Sequence, residues 1–390
     1  MDFPAERKYS QELLDLIRKK QRIVREGGID ILVKPVPDDD RPGAMDPRLL
    51  AETLPIVRGL RGILVSLVFK LMLMTRNPRK LARRMRRLFN NVDSIPVTGG
   101  VSVISDTVSL GDIHVPIRVY RTQEDGEPAE APKPVFLYIH GGGFAAGHPG
   151  VVEEMVKQVT RNTRCLGVQV DYRLAPEHPY PAALDDCYGV LKWLYKNAGR
   201  YGGDGERILI AGDSAGGNLA AVCAMKDRDE GTRMVKAQAL LYPVLNMAGK
   251  EDRDYHFSLD QYRYLPEQKK AARFRITAMR SSSSGILGLL LGVKDESLPY
   301  LSPYLGDLRG LPPCIILFGE FDFFRLENEA YARKLVRAGV PVKAVRYSGM
   351  GHAFAEPIGV QPQAEDCMME IGAFMTENFA VPPGDSYPHR

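Results

Sequence analysis

A serine surrounded by small residues lies in the stretch IAGDSAGGNLAA, which runs from Ile210 to Ala221. Ser214 lies between Asp213 and Ala215, with a glycine two positions before it and another two positions after it. The stretch fits three structures: a tight packing turn, a phosphate-binding loop, or a strained strand-to-helix turn that exposes a nucleophile. No G-K-[ST] follows the glycines, which disfavours the phosphate loop. The G-x-S-x-G pattern alone is weak, so a nucleophile needs partners elsewhere in the chain.

A second glycine-rich stretch, HGGGF from His140 to Phe144, ends another predicted strand. Consecutive glycines leave backbone N–H groups uncovered, so these groups can point at an oxyanion. Together with the amide of Ala215, the amides of Gly142 and Gly143 would form an oxyanion hole with three donors. The alternative is a glycine-rich packing turn. We interpret His140 as a structural histidine that holds this loop.

The base and the acid should follow the serine, in the order Ser, then Asp or Glu, then His. Three histidines lie downstream of the serine: His256, His352 and His389. His352 follows the predicted strand VKAVRY and is the predicted base. Asp322 ends the preceding predicted strand, CIILFGEFD, and is the predicted acid, with Glu320 in reserve. We expect Asp213 to brace the loop beside the serine.

The elements that would position these residues begin at about Val101. Short runs rich in Val, Ile and Leu alternate with helical patterns, which indicates a mostly parallel central sheet with helices on both faces. Residues 101–110 and 113–121 look like an antiparallel pair. We predict one α/β catalytic domain over 96–390, with a cap insertion at about 246–300. Residues 1–95 read as helices with loops, and we predict that they form an N-terminal helical cap segment.

The composition is that of a globular protein with a sizeable core. The chain has 390 residues, of which 44% are hydrophobic and 26% charged. Its five cysteines are scattered and mostly lie in apolar runs, which favours reduced, buried thiols in a cytoplasmic protein over disulfides or a zinc site. The N-terminus has no apolar signal-peptide region, and we expect a cytoplasmic location.

The net charge of +4 comes from one segment. Ten basic residues and no acidic ones lie between Glu52 and Asp93, so the rest of the chain is negative overall. This local basicity argues against a general nucleic-acid-binding protein. The segment includes the apolar run Gly62–Met74, which is too short for a comfortable membrane span. It is either a cap helix packed on the catalytic domain or part of an interfacial anchor through residues 58–87.

Five motifs in sequence order resemble the hormone-sensitive-lipase-like family of α/β-hydrolase esterases: HGGGF, VDYRLAPEHPYPAALDD, GDSAGGN, FGEFD and GMGHAF. The similarity extends from about Val101 to the C-terminal helix. It implies the α/β-hydrolase fold, a cap made of an N-terminal segment and an insertion, and activity without a metal or organic cofactor. For the site, it implies the triad Ser214, Asp322 and His352 and the oxyanion hole Gly142, Gly143 and Ala215.

Near the acid, the chain departs from the resemblance. Many relatives have DPLRDEG after the acid, whereas this chain has DFFRLENE. Phe323 and Phe324 replace Pro and Leu, and Leu326 stands where a second Asp is common. If that second acid holds the loop that carries the catalytic histidine in relatives, this protein must hold the loop around His352 differently. The resemblance also implies that three residues of the DYRLAPE motif hold loops and are not catalytic: Asp171, Arg173 and Glu177.

The expected reaction is hydrolysis of short- to medium-chain carboxylic esters through an acyl-enzyme. The expected partner is a small-molecule ester, with no nucleic acid. A membrane-surface lipid esterase that uses the basic N-terminal segment is the main alternative, and a non-catalytic ligand-binding relative is a weaker one because His352 is present. The sequence leaves open an amidase or a carbon–oxygen lyase on the same triad. It also leaves open the natural ester and whether the chain forms a homodimer.

Overall fold

The fold comes from a computed structural model, which describes residues 5–57, 75–91, 94–122, 131–277 and 285–379. Ten strands form one sheet in the order β1-β2-β10-β9-β8-β7-β5-β6-β4-β3. Their bounds are β1 Arg22–Glu26, β2 Ile29–Lys34, β3 Val101–Leu110, β4 Ile113–Thr122, β5 Lys133–Ile139, β6 Leu166–Val170, β7 Gly203–Asp213, β8 Val235–Leu241, β9 Cys314–Gly319 and β10 Val342–Tyr347.

The sheet is parallel from β2 through β10, β9, β8, β7 and β5 to β6. Antiparallel pairing is confined to its two ends, where β1 joins β2 and where β4 joins β6 and β3. This arrangement confirms the predicted mostly parallel sheet and the predicted pairing of residues 101–110 with the strand that follows. The central strands are buried along almost their whole length, as expected for strands covered on both faces.

Helices cover both faces of the sheet. Helices α1, α4 and α10 pack on one face, and α5, α6 and α9 pack on the other, each side with its own apolar core. The helix bounds are α1 Gln11–Lys19, α2 Pro47–Val57, α3 Pro78–Phe89, α4 Glu153–Thr163, α5 Ala182–Asn197, α6 Ala215–Asp229, α7 Lys269–Thr277, α8 Ile286–Leu291, α9 Arg325–Arg337 and α10 Pro362–Phe379. All five cysteines are buried, as predicted from their apolar surroundings.

The N-terminal region is not purely helical, so the prediction of helices and loops over 1–95 is wrong for residues 22–34. These residues form the hairpin β1–β2, and β2 extends the sheet by pairing in parallel with β10. The sequence RIVREGGIDILVK carries the signals of such a hairpin, since β-branched residues flank a Gly-Gly turn. The charged residues on β1 and the turn masked the apolar alternation of β2, whose side chains at 29, 31 and 33 are buried.

A buried ion-pair cluster joins the end of β2 to α10. The Lys34 side chain, 0% exposed, places its Nζ 3.0 Å from Asp366 Oδ2 and 2.6 Å from Glu370 Oε1, both on α10. The Tyr347 hydroxyl donates to Asp366 at 2.9 Å, which adds a neutral donor to the same carboxylate. Burying a lysine without such partners would be costly, so this cluster specifies how the N-terminal strand meets α10.

The parallel strands bring several loops to one edge of the sheet. The loops after β5, β7, β9 and β10 all leave from the carboxyl ends of strands, where open α/β sheets bind their ligands. The apolar run Gly62–Met74 and the serines 281–284 of the insertion lie outside the described residues. Within the described ranges, no helix has the length and apolar character needed to cross a membrane.

Candidate active site

Ser214 occupies a strained turn between β7 and α6. Its φ of 52° lies in the left-handed region, which non-glycine residues seldom adopt. A Cβ on Gly212 would come within 2.4 Å of the carbonyl carbon of Gly216, and a Cβ on Gly216 would come within 2.1 Å of the carbonyl oxygen of Ile139. The two glycines therefore permit the close approach of strand and helix, as the sequence predicted.

The structure brings Ser214, His352 and Asp322 together. Nε2 of His352 lies 3.0 Å from Oγ of Ser214, and Nδ1 lies 3.0 Å from Oδ2 of Asp322. An ionised carboxylate can only accept a hydrogen bond, so Nδ1 carries the proton of the neutral imidazole. Nε2 is then an acceptor for the serine hydroxyl, which is the arrangement a general base requires.

Asp322 is held in place by its own loop and by the insertion. Its side chain is fully buried, and its Oδ1 accepts a 2.8 Å hydrogen bond from the amide of Phe324. The hydroxyl of Tyr262, from the insertion, donates to the Asp322 carbonyl oxygen at 3.1 Å. These contacts leave Oδ2 as the oxygen directed at the imidazole.

Glu320, the reserve acid, has a different partner. Its Oε2 accepts a 2.9 Å hydrogen bond from the amide of Gly349, in the turn before His352. Burial raises the pKa of this carboxyl, although the hydrogen bond from Gly349 opposes the shift. Glu320 therefore anchors the backbone of the histidine loop, while Asp322 contacts the imidazole.

Three aromatic rings surround the imidazole of His352. The ring centroids of Phe323, Tyr242 and Phe324 lie 4.5, 5.0 and 5.4 Å from that of His352. Two of these rings are the Phe-Phe pair that departs from the related motif, and Leu326, at the position of the second acid, is buried. In this chain, aromatic packing and the contact between Glu320 and Gly349 hold the histidine loop.

The loop after β5, called the glycine loop because it carries Gly141, Gly142 and Gly143, is bonded directly to the serine turn. Oδ1 of Asp213 accepts hydrogen bonds from the amide of Gly141 at 2.9 Å and from the hydroxyl of Tyr138 at 3.0 Å. Burial raises the pKa of Asp213, while these two donors favour its ionised form. The structure thus confirms that Asp213 braces the loop, and it shows that the brace joins the glycine loop to the residue before Ser214.

Unpaired backbone amides occur in the loop that is bonded to the serine turn and at the start of α6. Gly142 and Gly143 have φ values of 114° and 62°, which glycine adopts most readily. Within the described part of the chain, the amides of Gly142, Gly143 and Ala215 have no protein acceptor. Ala215 is the first residue of α6, so its amide is among the unpaired donors at that helix N-terminus. The amides are thus available to an incoming anion.

His140 has the structural position that the sequence predicted. It is buried, its Nδ1 donates to the carbonyl oxygen of Gly141 at 2.8 Å, and its ring stacks on Tyr172 at 4.3 Å. Burial lowers the pKa of His140 to about 4, so this imidazole is neutral near pH 7. The other candidate base, His256, is exposed and pairs with Glu251, and His389 lies outside the described residues.

Helix α3 is bonded to the glycine loop by Arg86, one of the ten basic residues of its segment, and by Asn90. The guanidinium of Arg86 donates to the carbonyl oxygens of Ala145 at 2.8 Å and Ala175 at 3.2 Å, and it pairs with Glu177. Asn90, which ends the helix, accepts from the amide of Gly147 at 2.9 Å. No sequence motif marks these residues, because each acts through the backbone of a distant loop.

The inner face of α3 lies over the glycine loop together with α8. A Cβ built on Gly143 would come within 2.7 Å of Cε of Met85 and within 3.7 Å of Cδ2 of Leu287. Leu81 and Leu290 extend the same apolar cluster. These two helices therefore form a wall over the glycine loop.

A narrow apolar crevice adjoins this site but does not include Ser214 among its lining residues. It runs between the loop after β5, residues 175–184 at and before the start of α5, the start of α6, and the end of α8 with the residues that follow it. Its apolar side chains include Phe144, Leu184, Leu219, Leu291 and Leu301. Phe144 directly follows Gly143, so the crevice begins one residue from the glycine loop. Its apolar lining suits a hydrocarbon group better than a charged one.

The loop residues of the DYRLAPE motif also have bonded positions. Arg173 pairs with buried Asp186 through its guanidinium at 2.7 Å, and its amide donates to the same carboxylate at 2.9 Å. Glu177 pairs with Arg86 on α3. The amide of Asp171 donates to the carbonyl oxygen of Pro116 on β4 at 3.0 Å. The side chains of Arg173 and Glu177 hold loops, as the resemblance implied, whereas Asp171 is bonded through its backbone and the implied role of its side chain stays a prediction.

Comparisons with known proteins agree on the fold. Residues 136–356 match the family described as the alpha/beta hydrolase fold. The chain is 36% identical over 233 residues to carboxylesterase NlhH of Mycobacterium tuberculosis, covering 60% of this chain and 70% of that protein. It is 30% identical over 275 residues to an arylesterase of Saccharolobus solfataricus, covering 70% and 82% respectively. Among solved structures, a Pyrobaculum calidifontis esterase is 28% identical with a TM-score of 0.64, covering 81% of this chain and 99% of that one.

The attachment of α3 gives a first prediction. Arg86→Gln removes the charged donor to Ala145 and Ala175, so the glycine loop should lose its fixed position relative to the serine. We expect kcat for a soluble p-nitrophenyl ester to fall about tenfold to a hundredfold, since small misplacements of reacting groups have effects of that size. Arg87→Gln is the matched control because Arg87 is the exposed neighbour on the same helix. Equal kcat in the two variants would contradict the proposed role of Arg86.

Proposed function

This chain belongs to the α/β-hydrolase fold family, and on that premise we propose that it is a serine carboxylesterase with Ser214 as nucleophile, His352 as base and Asp322 as acid. The observation that carries the proposal is the position of His352, which lies within hydrogen-bond distance of both other side chains. The relatives named above are carboxylesterases and arylesterases by name, which supports the same reaction class.

The reaction would proceed in two halves. Nε2 of His352 takes the proton from Oγ of Ser214 as the oxygen attacks the ester carbonyl carbon. The tetrahedral intermediate collapses, His352 returns the proton to the departing alcohol, and the acyl group stays on the serine. Water then repeats the sequence and releases the carboxylic acid. Asp322 keeps the imidazole in the required tautomer and stabilises the imidazolium without taking the proton.

We assign the oxyanion hole to the amides of Gly142, Gly143 and Ala215. The support for this assignment is that these donors lack protein acceptors in the described structure and that the helix dipole of α6 favours a negative charge at its start. The brace from Asp213 to Gly141 would keep two of the donors in a fixed position relative to the third.

The substrates are small carboxylic esters with short to medium apolar chains. The apolar crevice that begins at Phe144 supports an apolar substrate group. The contact of Met85 and Leu287 with the glycine loop supports a confined site. We assign α3 and the insertion carrying α7 and α8 to a cap over the catalytic domain, because both reach the loops that surround Ser214.

Removing the nucleophile tests this proposal. Ser214→Ala should lower kcat/KM for p-nitrophenyl butyrate at least about a thousandfold, because no hydroxyl remains to form the acyl-enzyme. Ser105→Ala, an exposed serine on β3, is the matched control and should keep full activity. Circular dichroism should show both variants folded. Substantial activity in folded Ser214→Ala would refute the assignment.

A burst experiment separates an enzyme from a ligand-binding relative of the same fold. Rapid mixing with an activated ester should release about one equivalent of alcohol per chain before steady turnover, as acyl-enzyme accumulates. A protein that only binds the ester would release none.

The contact of Met85 with Gly143 gives a further prediction for this site. Met85→Ala should open space beside Gly143 and shift kcat/KM toward longer p-nitrophenyl esters, by about tenfold for octanoate relative to butyrate. Leu81→Ala is the control, since it removes a similar buried side chain from the same face of α3. An unchanged preference in Met85→Ala, or the same change in both variants, would show that Met85 does not limit the substrate.

A further inference from the structure

The outer face of α3 carries a dense set of unpaired positive charges. Four exposed residues have side chains without a salt-bridge or hydrogen-bond partner among the described residues: Arg79, Lys80, Arg83 and Arg87. No acid occupies the first turn of the helix, and two more basic residues, Arg76 and Arg84, are exposed nearby. We call the four unpaired residues the α3 basic face.

This arrangement is unfavourable for an isolated helix. Arg79, Arg83 and Arg87 follow one another at i,i+4 spacing, where like charges repel. Arg79 and Lys80 also lie in the first turn, where the helix dipole disfavours positive charge. A negatively charged surface placed against this face would relieve both effects.

The α3 basic face lies on the outside of a helix whose inner face contacts the candidate site. Leu81, Ala82 and Met85 pack inward against the loop after β5, and Arg86 fixes the helix to that loop. The positive charge is therefore concentrated on the outside of a helix that covers the glycine loop, while the chain outside residues 52–93 is negative overall. Such a charge separation would orient the molecule with α3 toward an anionic surface.

Two classes of anionic partner fit positive charge, and the observations favour lipid over nucleic acid. Leu88, next to the basic face, is 50% exposed, which suits contact with a bilayer interface. In the sequence, the apolar run Gly62–Met74 comes shortly before α3. The candidate site beneath the helix acts on esters in the proposed function, so docking through α3 would bring the site close to esters dissolved in a membrane.

We propose that the α3 basic face docks the protein on anionic phospholipid surfaces, with α3 and the glycine loop beneath it on the side that faces the bilayer. The docking itself is independent of catalysis. Its use in taking amphiphilic esters from the surface rests on the proposed function. Each basic side chain near an anionic membrane contributes about 1 kcal/mol, so the binding should weaken strongly with added salt.

Vesicle co-sedimentation of the full chain tests the docking. Binding is measured with phosphatidylcholine vesicles, with and without phosphatidylglycerol, at low and at near-physiological salt. The triple variant Arg79→Gln, Lys80→Gln and Arg83→Gln should bind anionic vesicles about a hundredfold more weakly. Glutamine is a good helix former, so α3 should remain helical.

The matched control removes three positive charges near the amino ends of the parallel strands, which is the end of the sheet opposite Ser214. Lys192, Lys196 and Arg200 are exposed residues on and just after the C-terminal half of α5, close to the amino end of β7. Their replacement by glutamine should leave vesicle binding within about twofold of the original chain. Both triple variants should hydrolyse soluble p-nitrophenyl butyrate normally, which shows that they are folded.

The binding experiments separate docking through the α3 basic face from binding by net charge and from binding to nucleic acid. Ser214→Ala should bind anionic vesicles as the original chain does, so a failure of the proposed function would not remove docking. Absence of binding to anionic vesicles at low salt would overturn the proposal. Equal loss in the two triple variants would also overturn it, since binding would then follow net charge. Binding to duplex DNA but not to anionic vesicles would assign the face to nucleic acid instead.

Discussion

The close contact between β7 and α6 at Ser214 is the constraint on which the rest of the site depends. Gly212 and Gly216 face backbone atoms at distances that leave no room for a Cβ, and Ser214 adopts a positive φ in consequence. The turn therefore places the hydroxyl of Ser214 at the carboxyl end of β7. The amide of Ala215, the first residue of α6, directly follows the serine. The same turn presents Asp213 to Gly141, so the glycine loop is fixed relative to the serine.

The histidine is held by packing as much as by hydrogen bonds. In this chain, Phe323, Phe324 and Tyr242 pack around the imidazole, and Glu320 bonds the backbone before it. Rings at these distances restrict the rotamers of His352, so Nε2 stays directed at Ser214. The apolar surroundings also exclude water from the bond between the histidine and the aspartate, which strengthens it.

Much of this arrangement could be predicted because its signals are local in the sequence. Strand-like runs after Val101, glycines around Ser214 and the downstream order of Asp322 and His352 each follow from short patterns. The hairpin at residues 22–34 was missed because the charged residues of β1 obscured its pattern, although the Gly-Gly turn was visible. The roles of Arg86 and Asn90 could not be read at all, since each bonds the backbone of a loop more than fifty residues away along the chain.

Labelling with an organophosphate ester shows directly whether Ser214 is the nucleophile that becomes acylated. The intact chain treated with diethyl p-nitrophenyl phosphate should gain one diethylphosphoryl group, located by peptide mass spectrometry on Ser214. His352→Ala should react far more slowly, because the base that takes the serine proton is gone. A label on another residue, or equal labelling of Ser214→Ala, would contradict the account.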